Sequence, residues 1–246
     1  MMQLLRHIRD RVYGIRGKGK VVPTVYDGIL LYVKFDRCGN CTEGTYFTKD
    51  GKPVCEPGSG TGRWTMSYDN RNNRTSCTYY DTEGNVCADS TGIACWKQTY
   101  DMHNDCTTSV YYDTAGTPVF DSDGVCRCRF LYDGRHNCTA CSYYGPDGTP
   151  VMNRLGYARV QRIPDRRGNC VEESYYDLDG APVADCDGVF TCRWKYNRHG
   201  NRTETSFYGC SGEPVNDKSG THSIKRGYGR RHDYIEEIVT EHCRNT

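Results

Sequence analysis

Paired aromatics return on a fixed step through this sequence, and that periodicity restricts the possible folds more than any motif does. Tyr79-Tyr80, Tyr111-Tyr112, Tyr143-Tyr144, Tyr175-Tyr176 and Phe207-Tyr208 recur every 32 residues, with Tyr46-Phe47 one step earlier at 33. Gly60, Gly92, Gly124, Gly156, Gly188 and Gly220 keep the same step. So do Tyr68, Tyr100, Tyr132, Tyr196 and Tyr228, a column that Pro164 interrupts, and the Pro-Val pairs that begin at Pro118, Pro150, Pro182 and Pro214. Independent columns sharing one period mark a structural repeat whose units bury their faces against one another.

Each repeat reads as two strands and two turns. Counted from the column glycine, the fourth residue is Trp64, Trp96, Cys128, Val160, Cys192 or Ile224, and the eighth is the tyrosine column. The third and fifth are mostly basic or polar, so the alternation is that of a strand with one buried and one solvated face. Next come Gly39, Asn72, Asn104, His136, Gly168, Gly200 and His232, residue types that accept positive φ, each followed by Asn or Asp. That pair between two strand-like runs specifies a hairpin turn. The second strand ends on the paired aromatics, whose two rings must point to opposite faces. A D-x-x-G turn and the Pro-Val segment then return the chain, with proline at a sheet edge or strand start.

Composition agrees. Only 36% of the 246 residues are hydrophobic, while Gly (27) and Tyr (20) are abundant, which suits short strands packed through aromatics. No run approaches the ~18 apolar residues of a membrane span. Residues 1–20 hold six Lys/Arg and one Asp, a local +5 against −4 for the remainder, so the body is not a general polyanion binder and no specific nucleic-acid binding is expected. Leu4, Leu5, Ile8 and Val12 fall at helical spacing, which predicts a short basic N-terminal helix ahead of a single repeat domain over 21–246. The first residues lack the apolar core of a secretory signal. The expected fold is therefore all-β, about seven 32-residue hairpin repeats forming an extended twisted sheet, a shell or a solenoid.

The segments FDRCGN (35–40), YYDTAG (111–116), YDGRHN (132–137) and YYDLDG (175–180) carry a family likeness. They resemble the YD repeats of bacterial Rhs-type and teneurin-type surface proteins, and are also similar to variant MORN repeats. The resemblance spans roughly residues 26–240. It implies an all-β sheet or shell, often at a cell surface or in a secreted system, that works by adhesion or enclosure without catalysis.

Sixteen cysteines admit three readings. Cys126, Cys128, Cys138 and Cys141 lie on one predicted hairpin and offer four thiolates for tetrahedral zinc. Against this, Cys138 and Cys141 are three apart on a strand and face opposite ways unless a bulge intervenes. A thioredoxin-like site needs a helix N-terminus at its Cys-x-x-Cys, and none is predicted. Disulfides depend on stacking: equivalent residues are about 9–10 Å apart in a meander, beyond the ~7 Å Cα limit for bridging, and within reach in a solenoid. Cys138 shares its column with Arg74 and Arg202, and Cys128 and Cys192 share the buried column, so small apolar filler is the third reading.

Catalytic signatures are missing: no G-x-S-x-G, H-E-x-x-H or phosphate-binding loop occurs, and the histidines are turn residues. The pieces Asp121-Ser-Asp-Gly and Asp185-Cys-Asp-Gly lack the terminal Glu of an EF-hand and read as turns. Sequons at Asn73, Asn137 and Asn201 follow the repeat. One column offers a binding feature. Arg63, Lys97, Arg127, Arg129, Arg159, Arg193 and Lys225 fall on the solvated face, to pair with Glu172, Glu173, Glu204, Glu236 and Glu237 across strands or to line a ledge for an acidic polysaccharide. The expected function is a non-enzymatic binding array without cofactor, directed at a protein or polysaccharide surface, in cell-surface adhesion or carbohydrate binding. An intracellular protein-interaction scaffold and a zinc-stabilised module are the alternatives.

Overall fold

The computed structural model describes residues 20–23, 28–229 and 234–240. The expected N-terminal helix lies outside them except for Lys20, which opens the first strand. All regular structure among the described residues is β, in two compact units, 1–122 and 123–246. The first holds β1 (Lys20–Pro23), β2 (Ile29–Phe35), β3 (Cys41–Thr48), β4 (Arg63–Tyr68), β5 (Arg74–Tyr80), β6 (Cys95–Tyr100) and β7 (Cys106–Tyr112). The second holds β8 (Arg127–Tyr132), β9 (Cys138–Tyr144), β10 (Arg159–Pro164), β11 (Cys170–Tyr176), β12 (Thr191–Tyr196), β13 (Arg202–Tyr208), β14 (Ser223–Tyr228) and β15 (Tyr234–Thr240).

Within each unit every strand pairs antiparallel with its sequence neighbours. Each unit is thus a meander of hairpins, and the solenoid is excluded there. The predicted hairpin phases hold, from β2–β3 through β14–β15. The turn column behaves as its residue types demand: Asn72, Asn104 and His136 have φ of 65°, 70° and 65°, and Gly39, Gly168 and Gly200 fill the same place at 81–87°.

Each repeat contains three turns, one more than expected. They start at Asp69, Asp81 and Asp89 in one repeat and at Asp101, Asp113 and Asp121 in the next. In the hairpin turn the Asp69 N–H donates to Asn73 O, Asn72 N–H returns to Asp69 O, and Asp69 Oδ1 accepts from the Arg71 and Asn73 amides at 2.9 and 2.8 Å. An aspartate that binds its own turn this way competes with strand continuation and stops it. The third turn is the column-glycine segment itself, with Asp89 N–H donating to Ile93 O and Gly92 N–H to Asp89 O. The Asp-rich pieces at 121 and 185 form turns of this class, and Asp185 Oδ1 accepts the Asp187 and Val189 amides at 2.9 and 3.0 Å.

The register shifts beside each first-strand end, as between Ser67 and Tyr68, where Thr75 of the second strand is the extra residue, while the eighth residue keeps the inward, even face. The Tyr68, Tyr100, Tyr196 and Tyr228 hydroxyls then donate to the carbonyls of Cys41, Arg74, Cys170 and Arg202, at 2.8–2.9 Å, on the preceding hairpin. The tyrosine column is therefore an inter-hairpin clamp.

The core lies on the even-position face. In the first unit it comprises Leu31, Val33, Tyr46, Trp64, Met66, Cys77 and Tyr79. Trp64 is opposite Gly44, and a Cβ at Gly44 would overlap its ring, so the missing side chain is what lets this indole sink to 2% exposure. In the second unit Cys141, Tyr157, Val160 and Tyr175 form the core, with Tyr157 stacked on Tyr175 at 4.3 Å.

Candidate binding face

The odd positions of each first strand lie on the opposite face with the second ring of each aromatic pair. Arg63, Arg127 and Arg159 stand directly opposite Tyr80, Tyr144 and Tyr176. The fifth-position cations reach diagonally to the second ring of their own hairpin. Arg63 lies 4.6 Å over Tyr80 and Lys97 4.8 Å over Tyr112; in the second unit Arg129 lies 4.9 Å over Tyr144 and Arg193 4.5 Å over Tyr208. Each is a cation held on an aromatic face; the two pairs of the first unit are two strands apart, about 9–10 Å, and the two of the second unit four strands apart.

The expected carboxylate pairing appears in part. Arg193 Nε donates to Glu172 Oε2 at 2.8 Å, and this pair is directly cross-strand. Lys225 faces Glu204 in register, while Glu204 holds its ion pair with Lys195 at 3.0 Å. Glu173 and Glu237 pair with arginines of the even face instead, Arg162 at 2.6 Å and Arg226 at 2.9 Å. The side chain of Glu236 lies outside the description. Tyrosine rings, which the sequence reading left out as cation partners, complete the arrangement. The Nε atoms of Arg63, Arg127 and Arg159 are covered and make no hydrogen bond, as fits, at Arg63, a guanidinium laid along the Tyr80 ring.

The four cysteines of the zinc alternative do not converge. Cys138 pairs with Tyr132 at the turn end of its hairpin, whereas Cys126 bonds Tyr144 at the other end. Among the described residues no group of three His, Cys, Asp or Glu is placed to hold a metal ion. The register instead brings Cys128 and Cys141 together on the even face. Their hydrogen bond holds the Cys141 thiol below its ordinary pKa despite burial. Burial pushes Cys138 up, and raises Cys41 and Cys77 to about 12.

Two sequons are absorbed by the turn and bulge. Asn137 Nδ2 donates to Asp133, and Thr139 Oγ1 donates to Leu131 O; Asn73 Nδ2 donates to Asp69 and to Asn104 Oδ1 of the next repeat at 2.8 Å. Asn40 makes the same link to Asn72 at 2.9 Å. These asparagines join successive turns, and an attached glycan would break the link.

No helix among the described residues is long and apolar enough to cross a membrane. No family model matches the chain, and no curated protein does. Among solved structures the chain is similar to a mutant of the Photorhabdus luminescens Tc holotoxin pore, at TM-score 0.45, 11% identity and 89% of this chain. A crystal structure of TcdB2-TccC3-TEV is similar at TM-score 0.45, 12% identity and the same 89%. TarM is similar over 63% of this chain and 24% of its own, at TM-score 0.21 and 16% identity. The chain spans 10% of the length of the two Tc chains.

Proposed function

We propose that this β-hairpin repeat protein is a non-catalytic array whose odd-position face binds an extended ligand, with an acidic polysaccharide at a cell surface as the favoured ligand. The carrying observation is the cation-on-tyrosine pair that recurs along the repeat, Arg63–Tyr80 and Lys97–Tyr112 on successive hairpins of one unit and Arg129–Tyr144 and Arg193–Tyr208 on alternate hairpins of the other. Tyrosine faces stack on sugar rings while the guanidinium and ammonium groups reach carboxylates or sulfates. In the first unit the step of about 9–10 Å between pairs is close to a disaccharide, so one chain can meet both pairs there.

Titration calorimetry with polygalacturonate and with neutral dextran tests this. Binding of the acidic polymer alone is expected, and Arg129→Ala with Tyr144→Ala should weaken it about fivefold or more, the scale of a lost cation–ring pair. Equal binding of dextran, or full affinity in the double variant, would overturn the reading. A protein-scaffold role is the second reading. It draws on Cys41, Cys77, Cys138, Cys141, Cys170 and Cys192 standing as thiols, as a reducing compartment requires.

A further inference from the structure

In the first unit a cavity of about 180 Å³ opens on the even face, beside the third turns of two consecutive repeats. Its walls include three aromatic rings, Tyr79, Trp96 and Tyr111, and two turn carboxylates, Asp89 and Asp121; no Lys or Arg lines it. Its presence at this repeat follows from the register. Trp64 and Trp96 hold the same column, but Trp64 faces Gly44 and sinks into the space left there, whereas Trp96 faces Cys77 and stays half-buried. The later repeats carry Cys128, Val160 and Cys192 in this column and lack the indole.

The Trp96 indole N–H donates to the Tyr79 hydroxyl at 3.3 Å, which fixes the two rings relative to each other. Trp96 already carries one cation, since the Arg74 guanidinium lies 4.8 Å over its ring, and Arg74 is not a cavity wall. Asp89 Oδ1 accepts the Thr91 amide, the Thr91 hydroxyl and the Ile93 amide. These bonds hold its carboxyl group in place at the rim.

We propose that this cavity binds a small organic cation, an alkylammonium or quaternary ammonium group held on the Trp96 and Tyr111 rings, over the buried Tyr79, and neutralised by Asp89 and Asp121. Aromatic faces attract such cations through the ring quadrupole, and nearby carboxylates supply the countercharge. A neutral ligand of the same shape gains only the apolar contact.

The test uses the full chain, titrated with choline and with its neutral isostere 3,3-dimethylbutan-1-ol, followed by calorimetry and tryptophan fluorescence. Saturable choline binding without isostere binding is expected. Asp89→Asn should weaken choline at least about fivefold, and Trp96→Leu should abolish binding. The asparagine variant keeps the fold, because Asn153 holds the same column and its Oδ1 accepts the equivalent amides of Leu155 and Tyr157. Equal affinity for the isostere, unchanged affinity in Asp89→Asn, or no choline binding by the folded protein would each overturn the proposal.

Discussion

At the scale of single residues, the hairpin-turn aspartates carry a pH signature. Asp69, Asp133 and Asp165 are held below the ordinary carboxylate range, first by the side chains of Asn73, Asn137 and Asn169 and then by turn amides. A depressed folded pKa means stability that is present above the unfolded value, about pH 4, and is lost as pH falls through the folded value. Thermal midpoints measured from pH 5 to pH 2 should therefore fall most steeply below pH 4. The triple variant with Asn at 69, 133 and 165 should flatten that limb, because asparagine already serves at Asn197, where its Oδ1 accepts the His199 and Asn201 amides. An equally steep limb in the triple variant would refute this origin. Gly44 gives a sharper case. Gly44→Ala forces the Trp64 ring to move and should cost about 1–3 kcal/mol in urea denaturation, where an unchanged midpoint would refute the packing argument.

At the scale of the strand and hairpin, the eighth-position tyrosine ties each first strand to the hairpin before it. Tyr100→Phe removes only the hydroxyl that donates to Arg74 O. It should destabilise by about 0.5–1.5 kcal/mol, read as a shift in denaturation midpoint with the slope unchanged. Pro164 shows how far such a column is legible. The sequence exposes the break in periodicity, but the purpose of the other members appears only when the pairing of successive hairpins brings their hydroxyls to a neighbouring carbonyl. The cysteines divide at the same scale. Cys38, Cys186 and Cys210 are exposed and Cys77, Cys141 and Cys192 buried. Iodoacetamide labelling followed by mass spectrometry should modify the first three in native buffer and the last three only in denaturant. Native labelling of Cys77 would contradict its packing.

For the whole molecule, the 32-residue period makes a statement about cooperativity. Within a unit each hairpin contacts its sequence neighbours, so stability is close to a sum over repeats and their interfaces. Deleting residues 157–188 joins Gly156 to Val189 in the same phase of the repeat. The shortened protein should keep a β circular-dichroism spectrum and a cooperative melt at a lower midpoint; loss of the spectrum would show that this hairpin is not interchangeable. The sequence by itself determined the all-β class, the hairpin phases, the residues at positive φ and the face on which each ring and cation lies. These follow from periods of 2 and 32 and from local turn chemistry, which need no knowledge of distant partners. Tertiary structure decided the meander over the solenoid, the third turn, the seating of the basic column on tyrosine rings, the meeting of Cys128 with Cys141 and the cavity at Trp96. Each of those depends on cross-strand register and on the volume of the residue opposite, as Gly44 and Cys77 show beneath two tryptophans of one column. A one-dimensional repeat assigns a side chain to a face, but only the folded chain assigns it a neighbour.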